Sequence, residues 1–96
     1  FVTLRNMGKT HQQQIDLANQ LRDAKSKVEV GARYWHHKST DKIYTVIGLA
    51  FLEATDELCV LYRAEYGEKL TFVRPLDIWL EHVEWEGKIV PRFSKV

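Results

Sequence analysis

Arg74 ends a β-prone run and directly precedes Pro75, a residue suited to opening a helical turn. A guanidinium placed there could grip a phosphate or carboxylate through two parallel hydrogen bonds. The N–H groups at the start of the turn would favour the same charge. The structural alternative is an internal ion pair with Glu57 or Asp77. His36 is a second candidate, as a hydrogen-bonding contact to a ligand; its alternative is a half-buried strand residue with one nitrogen satisfied. Tyr34, Trp35 and Lys38 surround it, and Tyr62, Arg63 and Tyr66 form a further group. Tyr62 and Arg63 adjoin on a predicted strand and leave opposite faces, so only one of them lines a given pocket. Together these eight residues supply rings for stacking and cations for charge-assisted hydrogen bonds.

Other chemistries find less support. His36 and His37 are adjacent on a predicted strand and point to opposite faces, and Cys59, His82 and His11 lie at no metal-binding spacing from them. Cys59 sits inside the apolar Leu58–Leu61 run with no His or Asp at a catalytic spacing, which reads as an inert buried thiol. Glu53, Asp56 and Glu57 share one turn, where solvation and bonding to backbone N–H groups account for them. No nucleophile elbow, phosphate-binding Gly loop, dinucleotide turn or zinc-hydrolase motif is present. The reading is a non-enzyme with no catalytic residue, metal or cofactor. Of the three tryptophans, Trp35, Trp79 and Trp85, one or two belong to the core, and Trp35 is the one expected at the surface.

The elements that must hold these residues follow from periodicity. Phe1–Asn6 precede a Met7-Gly8 pair, and residues 1–9 are read as a leader outside the fold. Residues 10–28 read as a polar helix, with Thr10 and Gln13 spaced as a capping box. Its thin apolar stripe, Leu17, Leu21, Ala24 and Val28, suits docking on a sheet edge or pairing with a second copy. Residues 30–96 read as the β domain. Strands are predicted at Arg33–Lys38, Ile43–Phe51, Leu58–Ala64 and Leu70–Arg74, with turns at Ser39–Lys42, Glu53–Glu57 and Tyr66–Glu68. Pro75 then starts one helical turn over Leu76–Leu80. A last hairpin has arms His82–Trp85 and Lys88–Val90 about Glu86-Gly87, and Pro91, lacking an N–H, ends the ladder. The Ile43–Phe51 strand is apolar on both faces, which makes it central or covered by the helix or a partner. The fold class is mainly β with one N-terminal helix: a small, strongly bent sheet or SH3-like barrel.

Whole-chain properties narrow the classes further. With 96 residues, 14 basic and 13 acidic side chains and a net charge of +1, the chain makes one small domain of balanced charge. Single-stranded nucleic-acid binding is disfavoured, since phosphate affinity scales with the Lys and Arg that neutralise it. No apolar run approaches the ~20 residues that span a bilayer. One cysteine forms no disulfide within the chain, and the expected location is the cytoplasm.

Gly31, Tyr34-Trp35-His36-His37-Lys38 and Tyr44-Thr45-Val46-Ile47-Gly48-Leu49-Ala50 together resemble the opening of the bacterial and phage family DUF1653. Thr55-Asp56-Glu57-Leu58, Val60, Tyr62-Arg63 and Tyr66-Gly67 are similar to its central block. Phe72-Val73-Arg74-Pro75-Leu76, Trp79, Gly87 and Val90-Pro91-Arg92-Phe93 are similar to its end. The resemblance runs from Val30 to Phe93 and leaves the helix outside. It departs at Trp35 and His37, where the family more often has Arg and an aromatic residue, and at Phe72, where Trp is common. The family is one of unknown function, so the likeness implies a fold and, from its frequent small phage and bacterial members, an accessory binder.

Three functions are weighed. The first is non-enzymatic capture of a small anionic, nucleotide-derived ligand by Tyr34, Trp35, His36, Lys38, Tyr62, Arg63, Tyr66 and Arg74. In a phage setting, such a protein would sequester a host immune signalling nucleotide. The pocket would form best between protomers of a homo-oligomer assembled through Leu17, Leu21, Ala24 and Val28. The second is a protein-interaction module using the helix and the sheet surface. The third, nucleic-acid binding, ranks last.

Overall fold

The computed structural model describes residues 13–96; Thr10, His11 and the residues 1–9 read as a leader lie outside the described residues. Helix α1, Gln14–Lys25, starts from Gln13, whose extended backbone (φ −67°, ψ 149°) makes it the N-cap and not the third helical residue of a capping box. Asp16 in the first turn and Arg22 and Lys25 in the last complement the helix dipole. The helix stops at Lys25, short of the sequence expectation, where the Ser26 hydroxyl donates to the Asp23 carbonyl at 2.6 Å.

Seven strands follow: β1 Arg33–His36, β2 Ser39–Leu52, β3 Glu57–Ala64, β4 Thr71–Pro75, β5 His82–Trp85, β6 Lys88–Pro91 and β7 Phe93–Lys95. A single helical turn, α2 Leu76–Trp79, interrupts them after Pro75. Five strands form one antiparallel sheet in the order β4-β3-β2-β1-β7, and β5 and β6 pair separately. β2 is therefore central, as its two apolar faces suggested.

The sheet does not close. Among the described residues β4 is laddered only to β3 and β7 only to β1, so the SH3-like barrel is replaced by an open, strongly curled sheet. Its curl is deep enough for the Arg74 guanidinium of β4 to lie 5.4 Å from the ring centroid of Phe93 on β7, across the mouth of the sheet. One cause is a bulge in β2. Val46 faces Tyr62 and Gly48 faces Leu61, leaving Ile47 as the extra residue. Alternation then inverts: Tyr44 and Val46 point inward before the bulge, Leu49 and Phe51 after it, each opposite an inward residue of β3. Alternation in the sequence had grouped Tyr44 and Val46 with Gly48 and Ala50; the bulge separates them.

Three local expectations are corrected. Ser39–Lys42 is not a turn but the start of β2, and the chain reverses at His37-Lys38, where the Lys38 N–H donates to His36 Nδ1 at 3.2 Å. Pro91 does not end the ladder early; it occupies the last rung of the hairpin, opposite His82. The strand Phe93–Lys95 was not foreseen, because three residues carry too little pattern and their partner, β1, is distant in sequence. The Glu86-Gly87 turn has φ of 53° and 79°, the paired positive values of a two-residue turn whose twist matches its strands.

The core lies in the hollow of the sheet: Val28, Tyr34, Val46, Val60, Tyr62, Trp79 and Phe93. Ala24 and Val28 are fully buried in it, so the C-terminal half of the helix stripe docks α1 on its own sheet and is closed to a partner. Leu17 and Leu21 remain half-buried beside Phe51, along a groove of about 400 Å³.

Candidate functional site

Phe93 collects side chains from almost every element. Its ring is stacked on Trp79 of α2, with centroids 3.7 Å apart and planes 7° from parallel. His36 of β1, Tyr62 of β3 and Tyr44 of β2 meet it edge-on at 5.1, 5.7 and 6.0 Å. Trp79 occupies one ring face, so the cation of Arg74 has the other. Tyr62 extends the aromatic floor to Phe72 at 5.7 Å, and Tyr44 extends it to Tyr66 through a 2.6 Å hydroxyl–hydroxyl hydrogen bond. Phe72 and Tyr66 are exposed, Tyr62 and Phe93 are buried, and Arg74 and His36 are half-buried between them. The result is a ringed platform, dry underneath and open above.

Its charge is unbalanced. Among the described residues no carboxylate lies within ion-pair reach of Arg74, so the alternative pairing with Glu57 or Asp77 does not form. Arg92, which also acts on His36, is by contrast held by Glu81 at 2.5 Å. Burial, followed by the charges of His37, Arg74, Arg92 and Lys38, lowers the His36 pKa to about 4. The ring is neutral at pH 7. Because Nδ1 accepts from the Lys38 N–H, its proton sits on Nε2, which is a donor. Burial, and then the bond to Tyr66, pushes the Tyr44 phenol up to about 12, so it stays protonated. Every group on the platform is thus cationic, neutral or a ring, a composition suited to an anion carrying a flat moiety.

The structure divides the eight sequence candidates. His36, Tyr62, Tyr66 and Arg74 come together on this face. Lys38 contributes its backbone N–H and the field of its exposed ammonium. Tyr34 turns into the core, where its ring meets Trp79 at 5.5 Å and its hydroxyl accepts from the Glu29 N–H at 3.0 Å. Arg63 faces away from Tyr62, as alternation requires, and is paired with Glu65 at 3.0 Å. Trp35 also lies on the opposite face of the sheet and is half-buried; Trp85 is the exposed tryptophan, at 37%. Sequence reasoning missed Tyr44, Phe72 and Phe93. Tyr44 was visible only as one position in an alternating strand, and Phe93 stood beyond the presumed end of the ladder.

Among the described residues no three of His, Cys, Asp and Glu gather as a metal would require. His36 and His37 nonetheless have ring centroids 4.3 Å apart, because His37 has left the strand for the turn and alternation no longer separates them. Cys59 is buried, and burial, with Glu57 next, raises its pKa, as expected of an inert thiol. No helix among the described residues is long and apolar enough to cross a membrane.

The model of the family described as "Protein of unknown function (DUF1653)" matches residues 32–95. The chain belongs to the DUF1653 family. A crystal structure of a DUF1653 protein from Bordetella bronchiseptica is similar to it, with 34% identity and a TM-score of 0.61 over 69% of this chain and 85% of that one. None of the curated proteins matches. The DUF1653 span runs from Ala32 through β7, so His36, Tyr44, Tyr66, Phe72, Arg74 and Phe93 all lie within it, while α1 lies outside.

Proposed function

We propose that this DUF1653 domain is a non-enzymatic binding protein that captures a small anionic, nucleotide-derived ligand on the Arg74 platform. The observation that carries the reading is the guanidinium of Arg74, held over Phe93 with no carboxylate partner among the described residues. A phosphate would take its in-plane N–H groups and the Nε2–H of His36, and a base would lie against the exposed rings of Phe72 or Tyr66. In a phage, the same capture would sequester a host immune signalling nucleotide. Calorimetric titration with cyclic dinucleotides and ADP-ribose derivatives tests it. Binding should weaken about 10- to 100-fold in Arg74→Gln, the range expected for charge-assisted hydrogen bonds. Heat changes absent across the whole panel would remove the proposal.

A protein-interaction module is the second reading, and the groove of Leu17 and Leu21 beside Phe51 supports it. In this reading a second copy of the chain occupies the groove. Truncation before Val28 is unsuitable as a test, since it removes the buried Ala24. Leu17→Gln with Leu21→Gln leaves the core intact, and a mass by light scattering unchanged from the parent's would dismiss the reading.

A further inference from the structure

On the side of the sheet away from Arg74, a cleft of about 300 Å³ runs between the β1–β2–β7 surface and the β5–β6 hairpin. Trp35, Trp85, Val90 and Pro91 line it, and among the described residues no charged side chain does. The volume is at the lower end of small-molecule pockets, about 300–1,000 Å³, enough for one flat ring system. An anion has no counter-charge here. The lining asks for an apolar, planar guest.

Polar side chains qualify that description, and Thr40 and Ser94 are among the lining residues. His37 also lines the cleft and is only 8% exposed, yet it is half-satisfied. Its backbone N–H donates to the Arg92 carbonyl at 3.0 Å, and its Nδ1 lies 3.4 Å from the same oxygen. A carbonyl can only accept, so the ring proton in this contact belongs to Nδ1 and Nε2 is left as an acceptor. Nε2 has no hydrogen-bond partner among the described residues. Trp85 meets the imidazole edge-on, with centroids 5.3 Å apart and planes at 79°, which fixes the ring's tilt. Among the described residues Arg92 Nε is the one buried side-chain nitrogen or oxygen without a partner, so His37 Nε2 is open to solvent and to a donor that enters the cleft.

From this we infer a second ligand site, separate from the Arg74 platform: the Trp35–Trp85 cleft takes a neutral, planar aromatic molecule that presents one N–H or O–H donor to His37 Nε2. The guest stacks against indole surface and is oriented by that single hydrogen bond, as in pockets where many apolar contacts surround few polar ones. Indole and phenol have this chemistry; a nucleotide phosphate does not. The inference does not depend on the function proposed for Arg74.

The full chain labelled with ¹⁵N reports the site directly, because each of its three tryptophans gives one indole N–H signal. These signals are assigned from single Trp→Phe variants and followed while indole, and separately 1-methylindole, is added. Indole should shift the Trp35 and Trp85 signals and leave that of Trp79, which is 3% exposed. 1-Methylindole, with its donor blocked, should bind about tenfold more weakly. His37→Leu should bring indole down to the 1-methylindole level, and His37→Gln, which keeps an acceptor, should restore part of the difference. Equal affinity for the two indoles in the parent protein, or no shift of Trp35 and Trp85 at millimolar indole, overturns the inference. The comparison of the two indoles stands even where the His37 variants do not fold.

Discussion

Arg74 and Phe93 belong to the two outermost strands of the sheet, yet the guanidinium carbon of one lies 5.4 Å from the ring centroid of the other. Only a sheet curled nearly into a tube brings its two margins so close. Among the described residues no ion pair or side-chain hydrogen bond engages the Arg74 guanidinium, which leaves its N–H groups to an acceptor.

Binding and folding are therefore separable at Arg74. Arg74→Gln should lose anion affinity while its stability to urea changes by about 1 kcal/mol or less, the worth of a half-exposed cation–π contact. A much larger fall in the urea midpoint would mean that Arg74 is chiefly a structural clamp.

Phe93 is the opposite case. Five elements converge on its ring, and Phe93→Ala should cost about 3–5 kcal/mol, a large part of the 5–15 kcal/mol that holds a small domain together. Phe93→Leu, which keeps most of the volume, should cost less than half as much. Urea unfolding followed by tryptophan fluorescence distinguishes them.

His36 sets an acid-side limit. Its pKa is about 4 in the folded protein against 6.5 for an unperturbed imidazole, so between those values the unfolded chain binds a proton that the folded chain refuses. Stability from this group is present above pH 6.5 and is lost as pH falls towards 4. Proton NMR of the imidazole C–H signals should show one histidine titrating near pH 4. Adding a ligand anion should raise that midpoint, since the neighbouring positive charges that depress it would be partly neutralised. A midpoint near 6.5 would contradict the electrostatics of the platform.

Ile47 tests the inversion of β2. It is 41% exposed, so Ile47→Ser should change stability by no more than about 1 kcal/mol. Deleting Ile47 removes the bulge but keeps Tyr44, Val46, Leu49 and Phe51 on the inner face, because Val46 and Gly48 then follow one another opposite Tyr62 and Leu61. What it takes away is the local bend that helps to curl the sheet. A cooperative thermal transition in both variants, with anion affinity weakened in the deletion alone, is the expected result; loss of cooperative unfolding in the deletion would contradict this register.

Much of this molecule could be read along the chain wherever the determinant was local. The strand expected at Arg33–Lys38, which ends at His36, the strand at Leu58–Ala64, the Pro75 turn and the Glu86-Gly87 hairpin all carry their signals within a few residues. The misreadings share a different cause. The turn at His37-Lys38 is held by a side-chain nitrogen of His36 taking a backbone proton, which propensity does not record. Phe93–Lys95 is a strand only because β1 lies beside it. The same limit governed the site. His36, Tyr62, Tyr66 and Arg74 were legible as types, but Tyr44, Phe72 and Phe93 become part of the platform only through the curl. Trp35 and Arg63 were lost from it because strand alternation sends them to the other face.

The curl has a consequence for motion. Its seam, between β4 and β7, is bridged by side chains with no backbone ladder among the described residues. A guest anchored on Arg74 and resting against Phe93 would grip both rims at once, like the clasp of an open bracelet. Amide hydrogens on the outer margins of Thr71–Pro75 and Phe93–Lys95 would then exchange with solvent more slowly in concert, although these strands stand at opposite ends of the sheet.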